Sequence, residues 1–241
     1  MSIKCIASGQ KGGVGKSTLT ILAARVAPAL GIRLAIIDLA MGNPSTSLNL
    51  LGGLPSHTLA TYVIGASRIN EVVHVIPAGH GPIYLVPSGR GDLALVNEYG
   101  GFTERLNSII NYLIDRIGVD HVLIDFPSFE PSLGEAIFGE ALSNCDVIYP
   151  VGIQDLGSLM ALRNLLIFAR KSSVDVGRPV INMFRESLGR QWVSVVGKLA
   201  GSEPSVVHYD PWLIRWVHDG VGQYGIGVRE ALTYVIRDVL G

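Results

Sequence analysis

Residues 8–18, SGQKGGVGKST, concentrate glycines, two lysines and adjacent hydroxyl side chains in one short stretch. Gln10 to Val14 separate Gly9 from Gly15-Lys16-Ser17, which makes the stretch a variant of the phosphate-binding pattern GxxxxGK[ST]. The chemistry follows from the residue types. Gly12, Gly13 and Gly15, with Val14 between them, let successive amides turn inward as an anion nest, and a helix starting there adds its positive end. Lys16 would neutralise the β- and γ-phosphates of a nucleotide. The Ser17 hydroxyl would bind Mg²⁺, and Thr18 would lie near the α-phosphate. Lys11, five positions earlier, is a second lysine that such a loop does not need.

Two carboxylates lie where strands should end. Asp38 closes the apolar run IRLAIID (32–38), and Asp125 is the last residue but one of DHVLIDF (120–126). At Asp125, a carboxylate at the C-terminal edge of a parallel strand, paired with a phosphate loop, suits a magnesium site.

These elements must be held by an α/β framework. Strands are expected at 3–8, 32–38, 72–76, 83–87, 120–126, 145–151, 178–184 and 205–209. Most lack polar alternation, as strands buried on both faces do. Helices are expected at 103–117, where Leu106, Ile109, Ile110, Leu113, Ile114 and Ile117 share a face, and at 156–171 and 228–240. The pattern predicts a doubly wound, mostly parallel sheet with helices on both faces. The Gly/Pro-rich stretch 77–101 reads as loops around a short strand, and residues 1–241 as one domain.

The wider composition sets limits. Apolar residues make up 48% of the 241 and charged residues 16%, enough for a large core. No apolar run reaches the length of a membrane helix, and no basic leader precedes the first strand, so a cytoplasmic protein is the default. Net charge is −1, with 14 arginines and 5 lysines, which excludes a globally basic nucleic-acid binder but not a local basic face. Cys5 and Cys145 form no metal-binding pair and read as two separate core thiols rather than a disulfide. The six histidines show no zinc spacing.

The motif KGGVGKST resembles the deviant Walker A sequence of the ParA/MinD family of ATPases. The resemblance runs through most of the chain: 34–53 is similar to the family's switch I segment, in its MinD-like form, and 119–151 to its Walker B region. It implies ATP and Mg²⁺ as ligands, with Ser17, Asp38 and Asp125 at the metal. It also implies that Lys11 crosses a homodimer interface to the partner's nucleotide. By the same resemblance Asn182, in RPVINMF (178–184), reads the adenine edge, and VVHYDPWLIRW (206–216), with Asp210, closes over the base. His208 stands where the family often has proline, and Glu140 where it often has asparagine.

One departure bears directly on chemistry. The family's switch I reads Asp-x-Asp, and here it reads Asp38-Leu39-Ala40. The missing carboxylate at Ala40 would orient the attacking water, and losing such a group costs about 10²–10⁴ in rate. The alanine is either natural, giving a switch with little turnover, or an Asp-to-Ala replacement that traps the ATP-bound dimer. Either way the expectation is ATP binding with weak or stalled hydrolysis.

Two outputs are open. A ParA-like partition ATPase would bind DNA nonspecifically as the ATP dimer, be nucleoid-associated, and answer to a ParB-like activator. Candidate DNA contacts are Arg163, Arg170, Lys171, Arg185, Arg190, Lys198, Arg215, Arg229 and Arg237. A MinD-like positioning ATPase would act at a membrane or on a protein scaffold. Against membrane binding, Leu232, Val235, Ile236 and Val239 read as a core-facing stripe rather than an interfacial helix. Metal-cluster carriers sharing this loop would need cysteine ligands that Cys5 and Cys145 do not supply. Trp212 and Trp216 are expected to pack inward, with Arg215 between them.

Overall fold

Continuous apolar strands dictate a sheet covered on both faces, and the computed structural model, which describes residues 1–89, 101–128, 138–219 and 224–241, has one. Parts of 77–101 and of the Walker B-like segment lie outside those residues. The strands are β1 (Ser2–Ala7), β2 (Leu34–Asp38), β3 (His74–Ile76), β4 (Ile83–Val86), β5 (His121–Asp125), β6 (Val147–Gly152), β7 (Asp175–Val176), β8 (Val180–Phe184) and β9 (Ser205–His208). They run in the order β3-β4-β2-β5-β1-β6-β8-β9, with β7 beside β6. Only β3 is antiparallel to its neighbour. All eight expected strands are present; the two-residue β7 was too short to leave an apolar run.

Side chains alternate across the sheet. In β1, Cys5 and Ala7 face one core together with Ile124, Leu106 and Leu165, whereas Ile6 faces the other with Leu22, Val151 and Tyr234. The first core is roofed by α5 (Phe102–Asn111), which widens into a π-helical turn over Tyr112–Ile117, and by α6 (Leu156–Lys171). The expected helix 103–117 is therefore one continuous element with its predicted face, Leu106, Ile109, Ile110 and Leu113, buried. The second core is roofed by α1 (Lys16–Val26), α8 (Pro211–Asp219) and α9 (Ile226–Tyr234), the last continuing through a π-helical turn to Leu240. Val235 and Val239 are fully buried there, Leu232 is partly covered and Ile236 is exposed, so most of the C-terminal stripe is spent on the core. Shorter helices α2 (Ser45–Leu51), α3 (Leu59–Val63) and α4 (Ile69–Val72), and the surface helix α7 (Gln191–Ala200), complete the elements used below.

The cysteines correct the sequence reading. Cys5 and Cys145, 140 residues apart, form a disulfide with their Cα atoms 6.0 Å apart. The cause is topological: β6 follows Cys145 directly and lies beside β1, and Asp146 ties its start to Ile3 through both its amide and its carboxylate. Closing so long a loop restricts the unfolded chain by about 5 kcal/mol in the entropy model. Reduction should therefore lower the thermal midpoint, and maleimide labelling of the denatured chain should find two thiols only after reductant. Two labelled thiols without reductant would contradict the pairing.

Candidate nucleotide site

The parallel strands β1, β2 and β5 end at one edge, and their loops meet there. Asp38 and Asp125 are register partners on adjacent strands, both with no exposed surface. The loop after β1 turns through left-handed backbone at Gly9, Gly13 and Gly15, with φ of 64°, 70° and 94°. Two of these positions also leave no room for a side chain. A Cβ on Gly9 would strike the main chain of Ala161 in α6, and one on Gly15 would strike the Asn182 amide. Gly15 then opens α1.

Within the loop, Ser8 is the bridging residue. Its hydroxyl donates to the Lys11 carbonyl at 2.7 Å and accepts from Lys16 Nζ at 2.9 Å. Burial pushes the Lys16 amine below its ordinary pKa, and the nearby Asp125 charge opposes that shift. Lys16 lines a cavity of about 700 Å³ together with Gly12, Gly13, Val14, Gly15, Ser17 and Thr18. Lys11 does not line it. Its amine sits 3.5 Å from Asp155, the residue that caps α6 by accepting from the Ser158 amide.

The two buried carboxylates are treated differently by their surroundings. Asp38 accepts from the Ala40 amide, the Ser47 amide and the Ser47 hydroxyl at 2.9, 2.9 and 2.6 Å. Asp125 accepts from Thr46 at 2.5 Å through one oxygen, and its other oxygen is buried without a partner. Burial raises the pKa of both. For Asp125 the value reaches about 7, from burial first and the Asp38 charge second, against hydrogen bonding by Thr46, the Lys16 charge and the nearby Ser17 hydroxyl. A divalent cation fits this arrangement: hard oxygen donors at Ser17 and Asp125, with one carboxylate oxygen waiting for a partner.

Asn182 repeats that pattern at the other end. Its amide donates to the Val14 carbonyl at 2.8 Å, while its carbonyl oxygen is buried and unpartnered. Asn182 itself is not among the residues that line the cavity. Just beyond, Met183 has φ 53° at a register shift in β8 and turns to the cavity. Asp210 is used otherwise. It does not line the cavity, and its oxygens accept from the Trp212 and Val228 amides, joining the starts of α8 and α9. His208 is clamped by Glu230, which takes its amide at 2.7 Å and faces its ring at 2.9 Å. Glu140, the other departure, is engaged by the Thr103 hydroxyl at the start of α5.

Ala40 lines the cavity, and among the described lining residues none is a carboxylate. The basic candidates divide. Arg190 and Arg237 pair with Glu186 and Asp238, and Arg170 donates to the Leu199 carbonyl. Arg185 stacks over Tyr209 and Arg215 over Trp212. Arg163, Lys171, Lys198 and Arg229 are exposed without an ion pair among the described residues. Trp212 and Trp216 pack partly into the core, as expected. No cluster of three or more metal-ligating side chains occurs among the described residues, and none of their helices is long and apolar enough to cross a membrane. Sequence reasoning missed Ser8, Thr46, Ser47 and Asp155.

The family model of the CobQ/CobB/MinD/ParA nucleotide binding domain matches residues 5–198. The chain belongs to that family. Curated proteins give this CobQ/CobB/MinD/ParA member no match. Among solved structures it is similar to MinD from Pyrococcus horikoshii complexed with Mg-ADP, at 18% identity and a TM-score of 0.78, covering 100% of this chain and 97% of that one. It is similar to an Asp-to-Ala variant of Cyanothece McdA in complex with ATP, at 15% identity and 0.76, covering 98% and 95%. A ParA family ATPase from Chlorobium tepidum aligns at 16% and 0.74, covering 98% and 99%. These likenesses establish the common fold, a mostly parallel sheet with helices on both faces, and the family is one of nucleotide-binding ATPases.

The raised Asp125 pKa has a measurable sign. The folded chain holds a proton that the unfolded chain, with an ordinary value of 3.8, gives up earlier. That contribution is complete below pH 3.8 and is lost as pH rises towards about 7. Thermal melts of the nucleotide-free protein across this range should show it, and Asp125→Asn should flatten the slope. An unchanged slope would show that Asp125 is not the group responsible.

Proposed function

We propose that this protein is an ATP-gated dimerising switch of the ParA/MinD type. The observation that carries the reading is the division of labour between the two lysines: Lys16 faces its own cavity, and Lys11 is turned out of it onto Asp155. A cation withheld from its own site is available to another protomer's triphosphate. There it would stabilise charge on the transferring phosphoryl group, as a residue supplied in trans does elsewhere. Asp155 then competes with the partner's phosphates for Lys11, so that nucleotide occupancy biases pairing. Magnesium, when bound by Ser17 and Asp125 with Asp38 behind, supplies charge neutralisation at the phosphates. The Mg-ADP and ATP found in two relatives support this ligand assignment.

Hydrolysis is weak in this reading. The attacking water needs an oriented acceptor, and Ala40 offers a methyl group in a cavity whose described lining has no carboxylate. Asp38 is not placed to substitute, because it is fully buried and does not line the cavity. Ala40→Asp should raise ATP turnover by about 10²-fold or more. Equal turnover in a steady-state phosphate-release assay would remove the argument.

The proposed output is DNA segregation through nonspecific duplex binding. Arg185 and Arg215 support it, since both are exposed and each lies within two residues of a cavity-lining position, Met183 and Ile214 respectively. Two protomers facing cavity to cavity would add their cations together, and phosphate contacts need no more. The core-facing Val235 and Val239 argue against the last helix as a membrane element. Sedimentation with ATP–Mg²⁺, with ADP, and with ATP plus duplex DNA tests both steps. The expected result is a dimer only with ATP, its loss in Lys11→Ala, and salt-sensitive DNA co-sedimentation weakened by Arg185→Ala and Arg215→Ala. A monomer at saturating ATP ends the switch reading, and an ATP dimer indifferent to DNA ends the partition reading alone.

A further inference from the structure

We propose that Gln154 is a positioning residue of the switch: its side-chain amide ties the turn that carries Asp155, and with it the Lys11 contact, to the segment after β8 that walls the cavity. The need for such a tie follows from the strands. β6 and β8 pair in parallel at Val151–Val180 and Gly152–Ile181, and beyond those residues the two backbones turn to other partners. On the β6 side, the Ile153 amide donates to the Ser158 hydroxyl and the Asp155 amide to the Ile153 carbonyl. On the β8 side, Met183 takes a left-handed φ of 53° where the register with β9 shifts. One side chain bridges the gap. Gln154 Oε1 accepts from the Arg185 amide at 2.6 Å, and Nε2 donates to the Gly189 carbonyl at 3.1 Å. A carboxamide offers a carbonyl and an N–H, as a peptide does, so it continues the ladder where main chain no longer reaches. It fixes both ends of the turn Glu186–Leu188, and it is itself buried, where an unmatched amide would be costly.

The tie closes a ring around the phosphate loop. From β8, Asn182 donates to the Val14 carbonyl, Met183 beside it lines the cavity, and Arg185 follows two residues on. Gln154 leads back from Arg185 to Asp155, and Asp155 holds the Lys11 amine. Lys11 and Val14 belong to one loop, so the ring is complete. The link that can open is Lys11–Asp155, at 3.5 Å between two partly exposed side chains. Exposed pairs of this kind contribute little and yield readily to a stronger partner. With Gln154 in place, a rearrangement of the Asp155 turn is passed through Arg185 to Met183. What fills the cavity at Met183 and what holds Lys11 are therefore coupled, and the two positions of Lys11 are the two states that the coupling joins.

What Lys11 does once released rests on the switch reading, whereas the coupling itself is measured on the nucleotide-free full chain. Methionine methyl groups would be labelled with ¹³C and the Met183 resonance assigned through Met183→Leu. Asp155→Asn removes the charge that holds Lys11 and keeps a side chain able to cap α6. It should displace the Met183 resonance, while that of Met41, buried on the Ala40 side of the cavity, stays in place. In a Gln154→Leu background the same change should leave Met183 unmoved. In Gln154→Glu, which keeps an acceptor for the Arg185 amide, part of the displacement should return. No displacement in the chain with Gln154, an equal displacement with Gln154→Leu, or Met41 moving together with Met183 would each overturn the proposal. The first of these needs no change at 154, and Gln154→Glu serves if Gln154→Leu does not fold. In sedimentation, Gln154→Leu should lower the dimer's preference for ATP over ADP by about tenfold. An unaltered preference would overturn the role given to Gln154, whereas a chain that stays monomeric with ATP would end the switch reading and leave the methyl result standing.

Discussion

Two carboxylates held side by side out of water set the terms for the rest of the site. Asp38 and Asp125 end adjacent strands in register, and both are fully buried. Removing two like charges from solvent is unfavourable unless donors or cations surround them. The chain meets this with local means: Ser47 and the Ala40 amide for Asp38, Thr46 and the nearby Lys16 for Asp125. Helix α2, which carries Thr46 and Ser47, is thereby pinned over the strand ends. One Asp125 oxygen remains unmatched among the described residues, a place that a cation would fill.

The phosphate loop depends on the same neighbourhood. Lys16 is buried with the Asp125 charge nearby to offset its desolvation, and Ser8 couples that amine to the Lys11 carbonyl. Asn182 reaches in from β8 to the Val14 carbonyl and occupies the space that a side chain at Gly15 would need. The glycines are thus required by neighbours on other strands as much as by their own turn.

Much of this was legible in the residue order. Strands buried on both faces leave unbroken apolar runs, which is why 32–38 and 120–126 could be read as strands, within two residues of the observed β2 and β5. The loop's glycines and Lys16 carry their chemistry in adjacent positions. What could not be read depends on convergence. Cys5 and Cys145 meet only because β6 lies beside β1, and Thr46 and Ser47 matter only because α2 folds over Asp125 and Asp38. Asp155 had a local signal, an acidic cap before a helix, but its hold on Lys11 required the loop and α6 to be neighbours. Asp210, which the resemblance put in the loop over the base, accepts from two main-chain amides that join the starts of α8 and α9, a role that no local pattern announces.

Gly9 sits with its Cα against the Ala161 main chain, backbone to backbone, with no side chain between them. Side chains at a contact can change rotamer and absorb a displacement, whereas abutting peptide groups act as a hard stop. The root of the loop and the middle of α6 therefore cannot move closer together. An inward push on the exterior of that helix reaches the glycine loop without any intervening cushion.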